Sequence, residues 1–170
     1  SAASDVYKRQ MLTRAADRFT QRIDALAGRI LPEQSDAAEA GQVASVPVHI
    51  HVGEDPGALT VHAKENYSLQ VNAAGVTLTA DGPDGVVHGL ATLAQLVTRD
   101  ESGPKLAFAE ITDSPRFPWR GIMIDTSRHF MAVATLQRQL DAMEMLKMNV
   151  LHLHLSDGTG FRVDSKRLPE

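Results

Sequence analysis

Two apolar segments of the chain are each followed by charged residues that could bind or activate a substrate. Asp125 ends the first segment, Ile122–Asp125, and Arg128 follows it. Asp157 follows the second segment, Val150–Leu155. A guanidinium can donate to two oxygen atoms at once, so Arg128 could bind a sugar or a carboxylate, or form an ion pair with an aspartate that only fixes the loop. Asp157 could act as a general base, accept hydrogen bonds from substrate hydroxyls, orient a histidine or cap a turn.

Two pairs of histidines lie two positions apart on predicted strands, which places the members of each pair on one face. Such a pair can bind a metal ion when further ligands are available. No third ligand lies near His49 and His51 in the sequence, which favours a solvated strand face. For His152 and His154 two interpretations stay open: metal ligands of a barrel hydrolase, or hydrogen-bonding groups of a polar interior that orient their neighbours.

A strand, a loop, a helix and a second strand are predicted around these residues. The first strand is Ile122–Asp125, the helix begins at Thr135 as its N-cap and ends at Asn149, and the second strand is Val150–Leu155. A helix between two strands returns the chain so that the strands run parallel. Ligands of parallel α/β folds bind where the strands end, so the charged residues that follow the two strands are expected to meet there.

The preceding part of the chain predicts a separate α/β layer. Apolar spacing predicts an amphipathic helix over Met11–Leu31 and a second helix over Val86–Val97. Short alternating segments predict strands at Val46–Val52, Leu59–Ala63, Tyr67–Val71, Val76–Ala80 and Leu106–Ile111. We expect a small antiparallel or mixed sheet backed by the second helix, with a boundary at the proline-containing stretch 113–118.

Composition excludes several classes of protein. The 170 residues are 43% hydrophobic and 22% charged, as is typical of a globular protein. The net charge of −4 and the scattered Lys and Arg residues give no indication of a nucleic-acid partner. The absence of cysteine excludes a disulfide framework and a cysteine-ligated zinc site. No apolar run approaches the roughly 18–20 residues of a membrane span, and the oligomeric state is not indicated.

Both ends of the sequence look unlike the rest. Residues 1–10, SAASDVYKRQ, follow no pattern found elsewhere in the chain, and we predict that they are an artefactual leader. They also lack the basic-then-apolar layout of a signal peptide. The last residues stop without a cap or closing element. We therefore expect the chain to be the N-terminal part of a longer protein.

Several stretches together resemble one family of glycosidases. PRFPWRGIMIDTSRHFM and LKMNVLHLHLSDGTGFRVDSKRLPE resemble the start of the catalytic barrel of glycoside hydrolase family 20, the β-N-acetylhexosaminidases. Tyr67-Ser-Leu-Gln-Val and Gly85-Val-Val-His-Gly-Leu-Ala-Thr-Leu-Ala-Gln-Leu resemble the small domain that precedes that barrel. The resemblance covers about Val46 to the end of the chain, with the pieces in the family's order and spacing.

The resemblance implies a fold and an activity. Residues 11–112 would form the accessory α/β domain, and residues 113–170 the first β-α-β part of a TIM (β/α)8 barrel, truncated here. The whole enzyme would remove terminal non-reducing N-acetylglucosamine or N-acetylgalactosamine from glycans or chitooligosaccharides, without a cofactor, and would be periplasmic or secreted. Its nucleophile would be the acetamido group of the substrate, an exception to the scheme that uses two protein carboxylates.

The resemblance also implies roles for individual residues. Arg128 would bind the C3 and C4 hydroxyls of the terminal sugar, and Asp157 would support the site through hydrogen bonds, including one to a histidine of a later strand. His152 and His154 would be interior polar residues rather than metal ligands, and Asp125 would be a supporting residue. Gly158 stands where many members have a second aspartate, and Phe161 where a tryptophan is common.

The family's catalytic pair, an adjacent Asp-Glu, does not occur after Gly121. The only Asp-Glu step is Asp100-Glu101, which lies in the accessory domain, so this chain alone is expected to be inactive. Two alternatives stay open. One is a metal-dependent TIM-barrel hydrolase that uses His152 and His154, and the other is a non-catalytic carbohydrate-binding module.

Overall fold

The computed structural model describes residues 2–27, 46–54, 62–101, 103–164 and 167. It divides into two compact units, Ser1–Arg116 and Phe117–Glu170. The elements of the first unit are α1 (Ala2–Ala27), β1 (Val48–Val52), β2 (Tyr67–Asn72), β3 (Gly75–Ala80), α2 (Pro83–Leu96), β4 (Val97–Asp100), β5 (Gly103–Leu106) and β6 (Ala109–Asp113). Those of the second are β7 (Gly121–Asp125), α3 (Val133–Met145), β8 (Val150–His154), β9 (Ser156–Asp157) and β10 (Gly160–Phe161). The chain is an α/β protein.

The first unit is built on a four-stranded sheet in the order β1-β3-β2-β6. The sheet is mixed, which is one of the two arrangements expected from the alternating segments. Strand β1 runs parallel to β3, while β2 runs antiparallel to both β3 and β6. A tight turn joins β2 to β3, in which the Asn72 side chain accepts a hydrogen bond from the backbone of Ala74 at 2.9 Å. Gly75 ends this turn at a φ of 132°, a conformation that favours glycine.

The core of this unit lies between the sheet and the helices α1 and α2. Alternate residues of β2 and β3 are buried, because successive side chains of a strand point to opposite faces. Helix α2 begins at Pro83, three residues before the predicted start, since proline suits the first turn of a helix. Val97, predicted as the last helical residue, belongs to β4. The largest fully buried side chains include Leu69, Leu78, Val86 and Leu93.

Helix α1 extends further toward the N-terminus than the sequence pattern predicts. It begins at Ala2 rather than Met11, and no glycine or proline interrupts residues 2–10. Ala15 is buried in the core and Phe19 packs against it. The predicted end of the helix, 28–31, lies outside the described residues. The prediction that residues 1–10 are an artefactual leader stays a prediction.

Two strand predictions for this unit need revision. The predicted strand Leu106–Ile111 is wrong, because the chain forms two strands there. Strand β5 pairs with β4 in a separate hairpin, and β6 joins the main sheet. The break falls at residues 107–108, where Phe108 is 73% exposed. Of the predicted strand Leu59–Ala63, residues 59–61 lie outside the described part of the chain, and His62 and Ala63 form a turn.

The second unit contains the predicted parallel strands. β7 and β8 pair in parallel, from Gly121 opposite Val150 to Asp125 opposite His154, and α3 connects them. The additional hairpin β9–β10 follows β8 and was not predicted.

The bounds of α3 differ from those predicted. Its N-cap is Ala132 rather than Thr135, and the Thr135 hydroxyl instead accepts a hydrogen bond from Arg138 at 3.0 Å. The helix ends at Met145, and Lys147 follows with a φ of 55°. Asn149, the predicted end, lies beyond the helix, where its side chain bonds to the backbone instead.

The second unit buries few side chains. Within its described residues only Thr126, Ser127 and Met143 are buried. The exposed large hydrophobic residues of this unit are Phe117, Trp119, Met123, Phe130, Met131, Val133, Leu140, Met145, Leu146, Phe161 and Val163. Across the described residues of both units, no helix combines the length and apolar character needed to cross a membrane.

Candidate functional site

The charged residues that follow β7 and β8 meet, as the parallel arrangement predicts. Arg128 donates from Nη1 to Asp125 Oδ2 at 2.6 Å and from Nη2 to Asp157 Oδ2 at 2.5 Å. One guanidinium therefore joins a carboxylate at the end of β7 to one in β9, which follows β8. The Arg128 side chain is nevertheless 61% exposed, whereas those of Asp125 and Asp157 are 20% and 35% exposed.

The backbone turn that carries Arg128 is fixed by hydrogen bonds to the last residues of β7 and β8. Asp125 Oδ1 accepts hydrogen bonds from the backbone N–H groups of Ser127 and Arg128 at 3.0 and 3.1 Å. Thr126 donates from its backbone N–H and from its hydroxyl to the carbonyl of His154, at 3.0 and 3.2 Å. Aspartate and threonine favour turns because their side chains bond to nearby backbone groups in this way.

The hairpin β9–β10 and the residue after it contact the same turn. The hydroxyl of Ser127, which is fully buried, donates to the carbonyl of Gly160 at 2.8 Å. Arg162 donates from Nε to the carbonyl of Thr126 at 3.0 Å and from Nη2 to that of Ser127 at 3.1 Å. Sequence reasoning did not find Ser127, Gly160 or Arg162, since strands of two residues have no periodicity and nothing marks Arg162 as more than a surface charge.

The two histidines of β8 occupy different environments. His154 Nε2 lies 3.1 Å from Asp157 Oδ2, and because an ionised carboxylate can only accept, the imidazole donates. His154 thus joins the group formed by Arg128 and the two aspartates. His152 is exposed and lies opposite Met123 of β7, and the structure does not bring it into the group.

Hydrogen bonds keep both aspartates in their charged form. The backbone N–H of Arg128 holds the pKa of Asp125 below its ordinary value, and the charges of Arg128 and His154 act in the same direction. For Asp157, the backbone N–H of Gly158 is the largest cause of the lowered pKa, followed by the hydrogen bond from His154 and the charge of Arg128. Both carboxylates are therefore ionised at neutral pH.

Metal-binding groups do not converge in the described part of the chain. No three side chains of His, Cys, Asp or Glu there are close enough to hold one ion. His49 and His51 lie exposed on β1. What the second unit does present is an oriented guanidinium beside two carboxylates, which suits hydrogen bonding to neutral polar groups such as hydroxyls.

Comparison with known proteins identifies the family of both units. The family description "Glycosyl hydrolase family 20, domain 2" matches residues 2–114, and "Glycosyl hydrolase family 20, catalytic domain" matches residues 117–170. The chain belongs to glycosyl hydrolase family 20. All residues of the Arg128 group fall in the part that matches the catalytic domain, and the two matches divide where the two compact units divide.

Similar proteins include several named hexosaminidases. The chain is 43% identical over 120 residues to Beta-hexosaminidase A of Caenorhabditis briggsae, covering 69% of this chain and 22% of the relative. It is 45% identical over 112 residues to Beta-hexosaminidase subunit beta of Mus musculus, covering 65% of this chain and 21% of the relative. The chain thus spans about a fifth of the length of these relatives.

Solved structures of the family resemble the fold of the chain. A chitobiase of Flavobacterium johnsoniae matches with a TM-score of 0.76 and 36% identity, over 92% of this chain and 24% of the other. A mutant Streptomyces plicatus beta-hexosaminidase in complex with the product GlcNAc matches with a TM-score of 0.65 and 34% identity, over 88% of this chain and 29% of the other.

Proposed function

We propose that this family 20 chain is part of a β-N-acetylhexosaminidase that removes terminal non-reducing N-acetylglucosamine or N-acetylgalactosamine from glycans or chitin fragments. The family assignment and the names of the relatives support this activity. The observation that carries it in this chain is the pair of contacts from Arg128 to Asp125 and Asp157, made at the ends of adjacent parallel strands. Active sites of TIM barrels lie at these strand ends.

Arg128 is proposed to bind the sugar through hydrogen bonds to neighbouring hydroxyls. A guanidinium has five N–H groups in one plane, and the two carboxylates use one on each terminal nitrogen within the described residues. The others are available to accepting oxygens of a substrate, and the exposure of the side chain supports such access. Asp157 and Asp125 hold the guanidinium, and His154 orients Asp157.

We propose that the chain contains two domains with different roles. Residues 11–112 act as the accessory α/β domain, and residues 113–170 as the first strand, helix and second strand of the catalytic TIM barrel. The reaction is proposed to use the acetamido oxygen of the substrate as nucleophile, with an adjacent Asp-Glu pair in a later part of the barrel. Residues 121–170 contain no Asp-Glu step, so this chain supplies sugar binding and not proton transfer.

Kinetics of the whole protein that carries this chain test the proposal. We expect it to hydrolyse a chromogenic N-acetyl-β-glucosaminide or the corresponding galactosaminide. Arg128→Met should lower kcat/KM by about 10- to 100-fold, because hydrogen bonds to a charged group contribute about 1.5–3 kcal/mol. Arg138→Met, which removes an exposed arginine of α3, is the matched control and should leave the rate unchanged. The absence of turnover on both substrates would refute the proposed activity.

The 170-residue chain alone is expected to be inactive on the same substrates, because the general acid and the carboxylate that stabilises the acetamido group are both missing from it. Turnover above the buffer rate by the purified chain, retained through a further purification step, would show that its own carboxylates perform the chemistry. That result would reject the proposed division of roles.

A further inference from the structure

The turn Thr126–Arg128 has nearly every backbone polar group engaged by a partner. Its N–H groups donate to the His154 carbonyl and to the Asp125 carboxylate. The carbonyls of Thr126 and Ser127 both accept from one side chain, that of Arg162. Backbone groups bound in this way cannot move without losing hydrogen bonds, so the position of the Arg128 Cα depends on them.

Arg162 connects this turn to the rest of the second unit. Its backbone N–H donates to the carbonyl of Leu155 at 2.9 Å, which fixes it to the residue after β8. Its guanidinium carbon lies 5.7 Å from the centre of the Phe130 ring, within the range of a cation–π contact. The backbone of Arg162 is therefore held by Leu155 and its guanidinium by Phe130, while the guanidinium N–H groups hold the turn.

We propose that Arg162 is a positioning residue for substrate binding: it acts through the Thr126 and Ser127 carbonyls to hold Arg128 where the sugar binds. The inference rests on the proposed function, because it assumes that Arg128 contacts the substrate. The planar guanidinium is required, since it donates to two successive carbonyls from Nε and Nη2. A lysine ammonium carries the same charge but lacks this fork of fixed geometry.

Gly160 is part of the same arrangement. A Cβ atom at this position would lie 2.8 Å from the Ser127 carbonyl oxygen and 3.0 Å from Nη2 of Arg162. Both distances are shorter than ordinary contacts, so a side chain there would separate the guanidinium from the turn. The hairpin β9–β10 thus leaves room for Arg162 to reach the carbonyls.

A double-mutant cycle in the whole protein tests the inference. We expect Arg162→Met to raise KM several-fold with little change in kcat, because it weakens a binding contact rather than a transition-state contact. In the Arg128→Met background the same substitution should change KM by less than about twofold, because coupled residues are not additive. The KM of Arg162→Lys, which is the milder substitution, should lie between those of Arg162→Met and the wild type. If Arg162→Met raises KM equally in both backgrounds, its role is generally structural and the inference is overturned. A KM equal to that of the wild type in Arg162→Met or in Arg162→Lys would also overturn it.

A second measurement on the same protein does not depend on hydrolysis. Phenylglyoxal modifies arginine side chains, and mass spectrometry of the digested protein gives a rate for each arginine. Arg128 should react several-fold faster in Arg162→Met than in the wild type, with Arg138 as the internal reference. An unchanged Arg128 rate would overturn the inference. If the whole protein fails to hydrolyse either sugar but the Arg128 rate rises, the proposed function fails while the link between Arg162 and Arg128 stands.

Discussion

Arg128 is bound by two carboxylates and still presents most of its side chain to solvent. Exposed ion pairs contribute little to stability, typically about 0–1 kcal/mol, so the stability of the chain does not explain this arrangement. Its physical consequence is orientation, because a guanidinium held at both terminal nitrogens loses most of its rotational freedom before a ligand arrives. Preorganisation of this kind lowers the entropy cost of binding.

Protonation of Asp125 and Asp157 should break their ion pairs with Arg128 only at a pH below the ordinary aspartate pKa. The pKa values of Asp125 and Asp157 are lowered in the folded chain, chiefly by backbone N–H groups. The two carboxylates therefore stabilise the fold above their unfolded-state pKa, and this contribution is lost as pH falls through the lower folded-state values. Carboxyl carbon titration by NMR should give midpoints below 3.8 for both groups.

The Arg128→Met variant is the matched control for this titration. It removes the charge of Arg128 but keeps the backbone N–H that bonds to Asp125. The midpoint of Asp125 should therefore rise only part of the way toward its ordinary value. Midpoints at or above 3.8 in the wild type would contradict the described hydrogen bonds.

A buried pair of polar side chains lies inside the first unit. Glu65 Oε2 and His88 Nε2 are 2.6 Å apart, and both side chains are more than nine-tenths buried. Glu65→Ala should lower the free energy of unfolding by about 1–3 kcal/mol, because it removes the acceptor of a buried polar group. Lys64→Ala is the control, since Lys64 forms an exposed contact with Asp81 and should change stability by less than about 0.5 kcal/mol. Equal urea midpoints for the two variants would contradict this expectation.

The sequence predicts part of the site and misses part of it, for a physical reason. Arg128 and Asp157 could be brought together from the sequence because both follow apolar strands of a strand–helix–strand unit, whose handedness and direction are strongly constrained. Arg162 could not be found in this way. Its contacts go to backbone carbonyls, which every residue possesses, so no residue type in the sequence marks the partner.

At the scale of elements, a helix lies closely against a strand in the first unit. A Cβ atom at Gly89 of α2 would lie 2.3 Å from Cδ1 of Leu78 in β3, which is completely buried. Gly89→Ala should therefore lower the free energy of unfolding by about 1–3 kcal/mol, because an added methyl group in a packed core forces its neighbours to move. Helix propensity alone would predict the opposite sign, since alanine favours helices over glycine by about 1 kcal/mol.

Gln95→Ala is the control for Gly89→Ala, because it introduces alanine at an exposed position of the same helix, where no core packing is disturbed. It should change stability by less than about 0.5 kcal/mol. Urea denaturation of both variants gives the comparison. A stabilised Gly89→Ala protein would show that α2 and β3 are not packed as described.

The elements that the sequence predicts well are those with a strong periodic pattern. Strands β2 and β3 alternate buried and exposed residues, and their predicted bounds are nearly correct. The hairpin β4–β5 was missed because none of its residues is buried and most are exposed, so burial imposes no alternation on them. Helix α3 was predicted, but its start was not, since the N-cap residue Ala132 makes no side-chain cap.

At the scale of the whole molecule, the two units differ in how much they bury. The first has a continuous core that contains residues of α1, α2, β2 and β3. In the second, α3 buries one residue, Met143. We expect amides of β2, β3 and α2 to exchange with deuterium much more slowly than those of β7, β8 and α3, because protection follows buried contacts. Equal protection in both units would contradict the burial pattern.

The apolar side chains exposed on α3 should also make the chain associate. Leu140 is 48% exposed, and Leu146, directly after the helix, is 72% exposed. Exposed apolar surface of this kind favours self-association. Among the described residues the sheet β7–β8 has only two strands, so each of them also has an outer edge that no other described strand pairs with. Replacing both leucines with glutamine should raise the concentration at which light scattering appears, whereas Gln137→Asn on the same helix should not. If the double variant associates as readily as the wild type, association does not proceed through α3, and the sheet edge becomes the surface to block.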